Sequence, residues 1–347
     1  MIKYVFVVCG VLSLCLLVPL NLFGCGRSVN DNVTTSSSTT TTTTATTTST
    51  STSTTLPSGW SRQVSGVDND LSGVCFVDAN NGWAVGTERT IIHTSDGGAS
   101  WEVQTSGTTW EYLAVTFVDT SNGWVVGDNG AIVHTDDGGS VWQTQTSETG
   151  NHLLGVCFVD ENIGWAVGAN GTIRKTINGG TDWLIQTSPT DKNLSGNVFF
   201  VSSSEGWAVG QSGTIIATTN EGTTWTTQES GVSQEVSDVY FIDSNKGWAA
   251  VANSNVILRT INGGADWETV STGLPGVDAF GFRALWFLDQ SKGWMIGINA
   301  VFITDDGGDT WRNKLGDLDL AYSDLSYIDY DTGWVVGYDG LVLKWEN

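Results

Sequence analysis

The chain alternates short apolar runs with polar turns, and the same arrangement recurs along residues 71–347. In the first copy, apolar runs at 71–77, 83–86 and 90–94 are followed by a run that begins at Trp101. Short runs separated by Gly, Asn and Asp are typical of strands joined by hairpin turns. The apolar positions do not follow the 3.6-residue period of an amphipathic helix. Each copy therefore predicts four short strands.

A Gly-Trp pair marks every copy and fixes the length of the repeat. The pairs begin at Gly82, Gly123, Gly164, Gly206, Gly247, Gly293 and Gly333, with steps of 41, 41, 42, 41, 46 and 40 residues. Four strands in a unit of about 40 residues are typical of a β-propeller blade. One blade cannot bury its own apolar faces, so the copies must stack on one another.

The two ends of the repeat region complement each other. The last copy stops at Asn347 after its third strand, while residues 60–66 resemble the fourth strand of the first copy, residues 101–107. Pairing this N-terminal strand with the last copy would close the ring and leave no open edge between first and last blades. The sequence therefore predicts an all-β, seven-bladed β-propeller with four-stranded blades over residues 58–347.

The turn between the third and fourth strands carries the sharpest motif. It reads Thr94-Ser95-Asp96-Gly97-Gly98-Ala99-Ser100-Trp101 in the first copy and resembles the Asp-box, or bacterial neuraminidase repeat. The Asp or Asn side chain accepts backbone N–H groups inside the turn, and Gly takes the positive φ angles. We expect a structural role for these residues, which are Asp96, Asp137, Asn178, Asn220, Asn262 and Asp306.

The N-terminal 57 residues predict an export signal followed by a tether. Residues 4–23 are mostly apolar, as in an export signal, and Leu22-Phe23-Gly24-Cys25 resembles a bacterial lipobox with lipid on Cys25. Plain secretion and an uncleaved membrane anchor are the alternatives. Residues 26–57 are rich in Thr and Ser and predict a disordered tether. We expect a protein of the bacterial cell envelope that touches the membrane only through its lipid, facing the periplasm or the surface.

The charge balance excludes some partners. Removing Lys3, Arg27 and Asp31 from the totals of 14 Lys plus Arg and 37 Asp plus Glu leaves the propeller with a net charge of about −24. Nucleic-acid binding requires clustered cations, so we expect none. Cationic partners are compatible with this charge, although a solvated acidic surface that maintains solubility is the simpler explanation.

The sequence offers no set of catalytic residues. The chain has only His93, His134 and His152, and no His, Cys or Asp spacing matches a zinc site. Cys75 and Cys157 fall in non-neighbouring blades, so we expect buried, unbridged residues. We predict a protein without enzymatic activity, metal or cofactor. A carbohydrate-active propeller, either a glycoside hydrolase or a lectin, is the alternative, because sequence does not give the separation of two carboxylates.

The loops opposite the Asp-box turns are the predicted binding face, because loops on a rigid scaffold commonly carry function. The longest connection, residues 271–283, lies on this face, beside residues 315–326. Aromatic residues and Arg are the types that anchor interfaces. The candidate residues are Trp110, Tyr112, His152, Asp278, Phe280, Phe282, Arg283 and Tyr322.

The repeat as a whole resembles the photosystem II stability/assembly factor family. The matching pattern is Phe-Val-Asp, Gly-Trp-x-Val-Gly and Thr-x-x-Gly-Gly-x-x-Trp, clearest in residues 76–86, 117–127 and 158–168. The resemblance implies a seven-bladed propeller, a lipoprotein, and a chaperone-like role in binding a reaction-centre precursor. We therefore expect a monomeric, envelope-anchored propeller that binds another protein and possesses no catalytic site.

Overall fold

The protein folds into seven four-stranded antiparallel sheets, which confirms the predicted seven-bladed, all-β propeller. The computed structural model describes residues 56–274, 281–297, 299–316, 318 and 320–347. Within each blade the strands follow one another in sequence, from the innermost to the outermost strand. In the last blade the outermost strand is instead the first strand of the chain.

The strands of the first four blades are short, and a single 3-10 turn joins the second strand to the third. Blade 1 comprises β2 (Leu71–Phe76), β3 (Gly82–Gly86), η1 (Thr87–Arg89), β4 (Ile91–Thr94) and β5 (Glu102–Val103). Blade 2 comprises β6 (Tyr112–Phe117), β7 (Gly123–Gly127), η2 (Asp128–Gly130), β8 (Ile132–Thr135) and β9 (Gln143–Gln145). Blade 3 comprises β10 (Leu153–Phe158), β11 (Gly164–Gly168), η3 (Ala169–Gly171), β12 (Ile173–Thr176) and β13 (Leu184–Ile185). Blade 4 comprises β14 (Val198–Phe200), β15 (Gly206–Gly210), η4 (Gln211–Gly213), β16 (Thr214–Thr218) and β17 (Thr226–Gln228).

The remaining blades repeat this plan. Blade 5 comprises β18 (Val236–Phe241), β19 (Gly247–Val251), β20 (Val256–Thr260) and β21 (Glu268–Ser271). Blade 6 comprises β22 (Ala284–Phe287), β23 (Gly293–Ile296), β24 (Val301–Thr304) and β25 (Arg312–Asn313). Blade 7 comprises β26 (Tyr322–Tyr327), β27 (Thr332–Gly337), β28 (Val342–Glu346) and β1 (Trp60–Gln63).

The ring closes where the sequence predicted. Strand β1 pairs antiparallel with β28, with Trp60 opposite Trp345 and Gln63 opposite Val342. The innermost strands also join across the closure, since Asp324 Oδ2 accepts the N–H of Val74 over 2.8 Å. Both ends of the domain are thereby held in one blade.

The hydrophobic core lies between blades. The described residues form seven apolar clusters, and each cluster draws its members from two neighbouring blades. A blade buries both of its faces only when both neighbours are present, which is why the copies must form a ring.

Packing explains the glycine of the Gly-Trp pair. The ring of Phe76, at the end of the innermost strand, lies over Gly82, and a Cβ built on Gly82 would meet it at 2.4 Å. The same contact recurs in the other blades, for example between Phe117 and Gly123. The position therefore excludes a side chain for steric reasons.

The tryptophan of the Gly-Trp pair contacts the next blade through ring stacking and a hydrogen bond. Trp83 stacks on Phe117 of blade 2, with ring centroids 3.6 Å apart, and its indole N–H donates to the Gly138 carbonyl over 3.1 Å. Trp165 and Trp294 are the exceptions, because each has a buried N–H without a hydrogen-bond partner. In the blade after Trp165, Glu221 replaces the acceptor glycine; the blade after Trp294 has no Asp-box turn.

The Asp-box side chains bond within their own turns. Asp96 Oδ1 accepts the Thr94 hydroxyl and the Ser100 N–H, each over 2.8 Å. Gly97 and Gly98 have φ angles of 70° and 90°, which favour glycine. The hydrogen bond from the Ser100 side chain is the main cause that lowers the pKa of Asp96 to about 2.

The cysteines depart in part from expectation. Cys157 is a free, buried thiol, and burial raises its pKa to about 12. Cys75 is also buried but is disulfide-bonded, so the expectation that it is unbridged is wrong. Cys25, the lipobox and residues 26–55 of the tether lie outside the described residues. None of the helical turns in the described part of the chain has the length and hydropathy needed to span a bilayer.

Candidate partner-binding face

The propeller has two faces made by different loops. We call upper the face that carries the turns between second and third strands and the connections between blades. A turn and a connection are hydrogen-bonded on this face, since the Thr87 N–H donates to the Asp70 carbonyl over 3.0 Å. The lower face carries the Asp-box turns, and Gly97 N–H donates to the Asn80 carbonyl of the first hairpin over 2.8 Å. The predicted binding residues that the structure describes lie in or next to the connections between blades, on the side of the upper face.

One upper-face turn differs from its equivalents and was missed in the sequence. The turns of blades 2, 3, 4 and 7 place a glycine with positive φ before the third strand: Gly130, Gly171, Gly213 and Gly340. Arg89 holds that position in blade 1 with a φ of 63°, a conformation that costs a non-glycine residue free energy. Aligning Glu88-Arg89 with the Asn-Gly pairs of other copies would have revealed it.

Arg89 lies near the first strand of the next blade, because its charge acts on the Tyr112 phenol. Its charge lowers the pKa of the Tyr112 phenol, although burial dominates and raises that pKa overall. Trp110, which precedes Tyr112 by two residues, has 47% of its surface exposed. An arginine and a tryptophan at one junction between blades supply the residue types that anchor protein interfaces.

Three of the predicted aromatic residues are in the core instead of on the surface. Tyr112, Phe282 and Tyr322 are fully buried and pack in the clusters between blades. They align with Leu71 of blade 1; Tyr112 and Tyr322 are the first residues of their innermost strands, and Phe282 lies two residues before its innermost strand begins. That position is internal in the ring, so their assignment to the binding surface is wrong.

The Tyr112 hydroxyl is satisfied inside the fold. It bonds to the hydroxyl of Ser106, and the Thr108 hydroxyl lies 2.7 Å away. The Tyr322 hydroxyl has no hydrogen-bond partner, because the blade that precedes it has Gly316 where blade 1 has Ser106. The Tyr112 phenol thus stabilises a loop from below, and neither phenol is exposed to a partner.

The other predicted residues are distributed around the upper face. His152 is exposed, and its Nδ1 lies 2.7 Å from Asp128 Oδ1 between blades 2 and 3. Arg283 is partly buried, with its guanidinium 5.8 Å from the Tyr338 ring between blades 6 and 7. Asp278 and Phe280 lie outside the described residues. Trp110 and Arg89 therefore both belong to the junction of blades 1 and 2, while His152 and Arg283 lie at other blade junctions.

Two carboxyl groups, the half-buried Glu235 and the buried Asp238, lie on or beside the innermost strand of blade 5. Glu235 is hydrogen-bonded to the Ser195 hydroxyl, and burial raises its pKa. Asp238 accepts the backbone N–H groups of Val239 and Leu285, each over 2.8 Å, while burial raises its pKa to about 7. Asp238 links the innermost strands of blades 5 and 6, as Asp324 links blades 7 and 1.

The upper face is acidic. Its described loops carry the carboxyl groups of Asp68, Asp70, Glu88, Glu111, Asp128, Glu148, Asp191, Glu229, Glu235 and Asp339. The cations among them are Arg89, Lys192 and Arg283. Like charges that share one surface attract ligands of the opposite sign, so this face favours a partner with a net positive charge.

Within the described ranges, no three His, Cys, Asp or Glu side chains are grouped closely enough to hold a metal ion. His93 and His134, at equivalent blade positions, stack on Trp83 and Trp124 with centroids 4.7 Å apart. Burial lowers their pKa values. In the fold, these two histidines therefore pack against the tryptophans of the Gly-Trp pairs.

The repeat matches a known family over most of the propeller. The sequence model of the photosynthesis system II assembly factor YCF48 matches residues 52–147, 140–231 and 225–313. The chain belongs to the YCF48 family. The matches follow the blades in succession, which confirms the resemblance inferred from the Gly-Trp and Asp-box motifs. No curated protein matches the chain significantly.

Solved structures share the fold of this YCF48-family chain. The structure described as YCF48 bound to D1 peptide is 21% identical, with a TM-score of 0.70, covering 83% of this chain and 95% of its own. YCF48 from Cyanidioschyzon merolae is 21% identical, with a TM-score of 0.68 and coverages of 83% and 99%. Virginiamycin B lyase from Staphylococcus aureus is 14% identical, with a TM-score of 0.71 and the same coverages. At these identities the likeness establishes the fold alone.

Proposed function

We propose that this YCF48-family propeller is a non-enzymatic assembly factor that binds a polypeptide segment of another protein on its upper face. The observation that carries the proposal is that a strained Arg89 and an exposed Trp110 both belong to the junction of blades 1 and 2. Backbone strain persists where the surrounding structure enforces it, and such positions cluster at binding sites. The family relationship supports the same role.

The proposed ligand is a segment of a client protein. A solved relative is described as bound to a D1 peptide, and we propose a peptide segment for this chain by extension. The acidic upper face favours a segment with a net positive charge. An exposed aromatic ring and a guanidinium at one blade junction provide stacking and hydrogen bonding to such a segment.

We further propose that the propeller is anchored to the cell envelope through lipid on Cys25 and held away from the membrane by residues 26–57. The lipobox resemblance and the Thr- and Ser-rich composition support this arrangement. Mass spectrometry of protein extracted from membranes should find a diacylglycerol-modified Cys25 at the mature N-terminus. An unmodified N-terminus, or an intact residue 1–25 segment, would contradict the lipid anchor.

The binding proposal is tested by affinity capture from membranes with the full chain as bait. The variants Trp110→Ala and Arg89→Gly should lose a defined protein that the wild type retains. Lys192→Ala is the matched control, because it removes one exposed cation from the same face at another blade junction. Capture of the same proteins by all four baits would contradict the assigned site.

The same proposal includes the absence of enzymatic activity. The full chain should show no turnover on a panel of polysaccharides and no binding to a glycan array. Hydrolysis of a glycan that requires Glu235 or Asp238 would favour the carbohydrate-active alternative instead.

A further inference from the structure

The outermost strand of each blade is an exposed sheet edge, and in blade 3 the composition of this strand differs from that in the other blades. The edge strands of blades 1, 5, 6 and 7 contain Glu102, Glu268, Arg312 and Arg62, and those of blades 2 and 4 consist of Gln and Thr. Charged residues at an edge discourage pairing with another chain. In blade 3 the edge strand β13 is instead Leu184–Ile185.

These apolar side chains face solvent. Leu184 and Ile185 are 51% and 70% exposed, and Ile177 in the adjoining Asp-box turn is 58% exposed. Ile177 and Leu184 line one groove of about 520 Å³ together with Trp183, Glu148 and Asp182. We call Ile177, Leu184 and Ile185 the blade 3 edge patch.

The backbone of β13 is arranged to receive a further strand. Leu184 pairs with Lys175, and Ile185 with Arg174, while Gln186 N–H donates to the Ile173 carbonyl over 3.1 Å. In an antiparallel pair the bonded residues alternate, so the N–H and C=O of Ile185 point away from the blade. An extended polypeptide can pair with such an edge.

The groups around the patch are negative. Glu148 and Asp182 line the groove. The cations nearest the strand are already engaged: Lys175 Nζ lies 3.0 Å from Glu221 Oε2, and Arg174 donates to the carbonyls of Ser147 and Glu148. The accessible charge beside the apolar side chains is therefore carboxylate.

We propose that the edge of β13 accepts an extended segment of a partner protein in which apolar and basic residues alternate. Because alternate side chains of a strand point to opposite faces, the basic side chains would reach Glu148 and Asp182 in the groove beside Leu184. The apolar side chains would pack on Ile185, whose backbone would bond to the segment. This site lies at the outer edge of blade 3 and shares Glu148 with the upper face, but it does not depend on the function proposed for that face. A second copy is a poor occupant, because two chains of net charge −23 repel each other.

The proposal is tested with the full chain and a capped, fluorescent ten-residue peptide of alternating Val and Lys. Fluorescence anisotropy should show binding that weakens as salt rises, since charged groups are screened. A peptide with Glu in place of Lys should bind at least tenfold more weakly. Amide hydrogen exchange should slow at Ile185 when the Val-Lys peptide is added.

Two double variants locate the site. Leu184→Lys with Ile185→Lys should lower the affinity for the Val-Lys peptide at least tenfold. Thr226→Lys with Thr227→Lys adds the same charges at the equivalent positions of blade 4 and should change the affinity less than twofold. Unchanged thermal unfolding of both variants verifies that the propeller is intact.

Several results would overturn the proposal. They are equal affinity for the Lys and Glu peptides, equal losses in the two double variants, or no change in exchange at Ile185. A wild type that sediments as a dimer, and as a monomer after Leu184→Lys and Ile185→Lys, would assign the edge to a second copy.

Discussion

The indole N–H of Trp334 in the last blade donates to the Gly97 carbonyl of the first blade over 3.1 Å. The Trp334 ring also stacks on Phe76, with centroids 3.5 Å apart and planes within 3°. The same pair of contacts joins successive blades elsewhere, as from Trp83 to Phe117 and Gly138. The closing interface is therefore built like an internal one, and the repeat motif itself provides the contacts that hold the ring.

The indole hydrogen bond can be measured apart from the ring stack. Trp124 donates to the Gly179 carbonyl over 3.0 Å, whereas the buried Trp165 N–H has no partner. Trp124→Phe should therefore lower the free energy of unfolding by at least about 1 kcal/mol more than Trp165→Phe. Urea unfolding of the two variants measures this difference; equal losses would show that stacking alone fastens the blades.

The glycine of the Gly-Trp pair provides a steric test. Gly82→Ala would place a Cβ 2.4 Å from the Phe76 ring, and the displaced ring should cost roughly 1–3 kcal/mol of unfolding free energy. Gly150→Ala is the matched control, because its Cβ would meet nothing within 4 Å. It should change stability by less than about 1 kcal/mol. Chemical denaturation of both variants distinguishes packing from a general intolerance of alanine.

Arg89→Gly should separate stability from binding. The φ of 63° at Arg89 suits glycine, so the variant should unfold at a free energy up to about 1 kcal/mol higher than the wild type. If Arg89 contacts the partner, the same variant should bind it more weakly. Thermal unfolding and capture are measured on one preparation; lower stability would contradict the strain at this turn.

The buried Asp238 should leave a signature in the pH dependence of stability. Burial raises its pKa from 3.8 to about 7, so the folded state holds a proton that the unfolded state has released. Its contribution to stability is complete below about pH 4 and is lost as the pH rises to about 7, by up to about 4 kcal/mol. The pH–stability curve of the Asp238→Asn variant is subtracted from that of the wild type. This subtraction removes the opposing effects of His93 and His134, whose pKa values are lowered.

That difference curve should fall between pH 4 and 7 and stay flat above about pH 8. Asp96, with a pKa of about 2, acts in a different window, since its contribution to stability is lost only as the pH falls below about 4. A difference that is flat from pH 4 to 8 would show that Asp238 remains ionised throughout.

Local patterns allowed most of the architecture to be predicted. The Gly-Trp spacing gave seven blades, and the likeness of residues 60–66 to residues 101–107 gave the pairing of β1 with β28. The binding face was harder to predict, because composition does not show which way a loop aromatic residue points. Trp110 is exposed while Tyr112, two residues later, is buried. Aligning each candidate with Leu71 of the first copy shows which candidates occupy the same buried position as Leu71.

The amino-acid sequence by itself determined the repeat, the strands, the turns and the closure, because each depends on short-range periodicity or on likeness between segments. Only the tertiary structure decided the depth of each side chain and the environment of each charge. Asp238 is buried because blade 6 covers it and donates the Leu285 N–H, and Leu184 and Ile185 are exposed because no element covers β13 in the described part of the chain. Burial at a propeller position is set by the neighbouring blade, which lies about 40 residues away in the sequence.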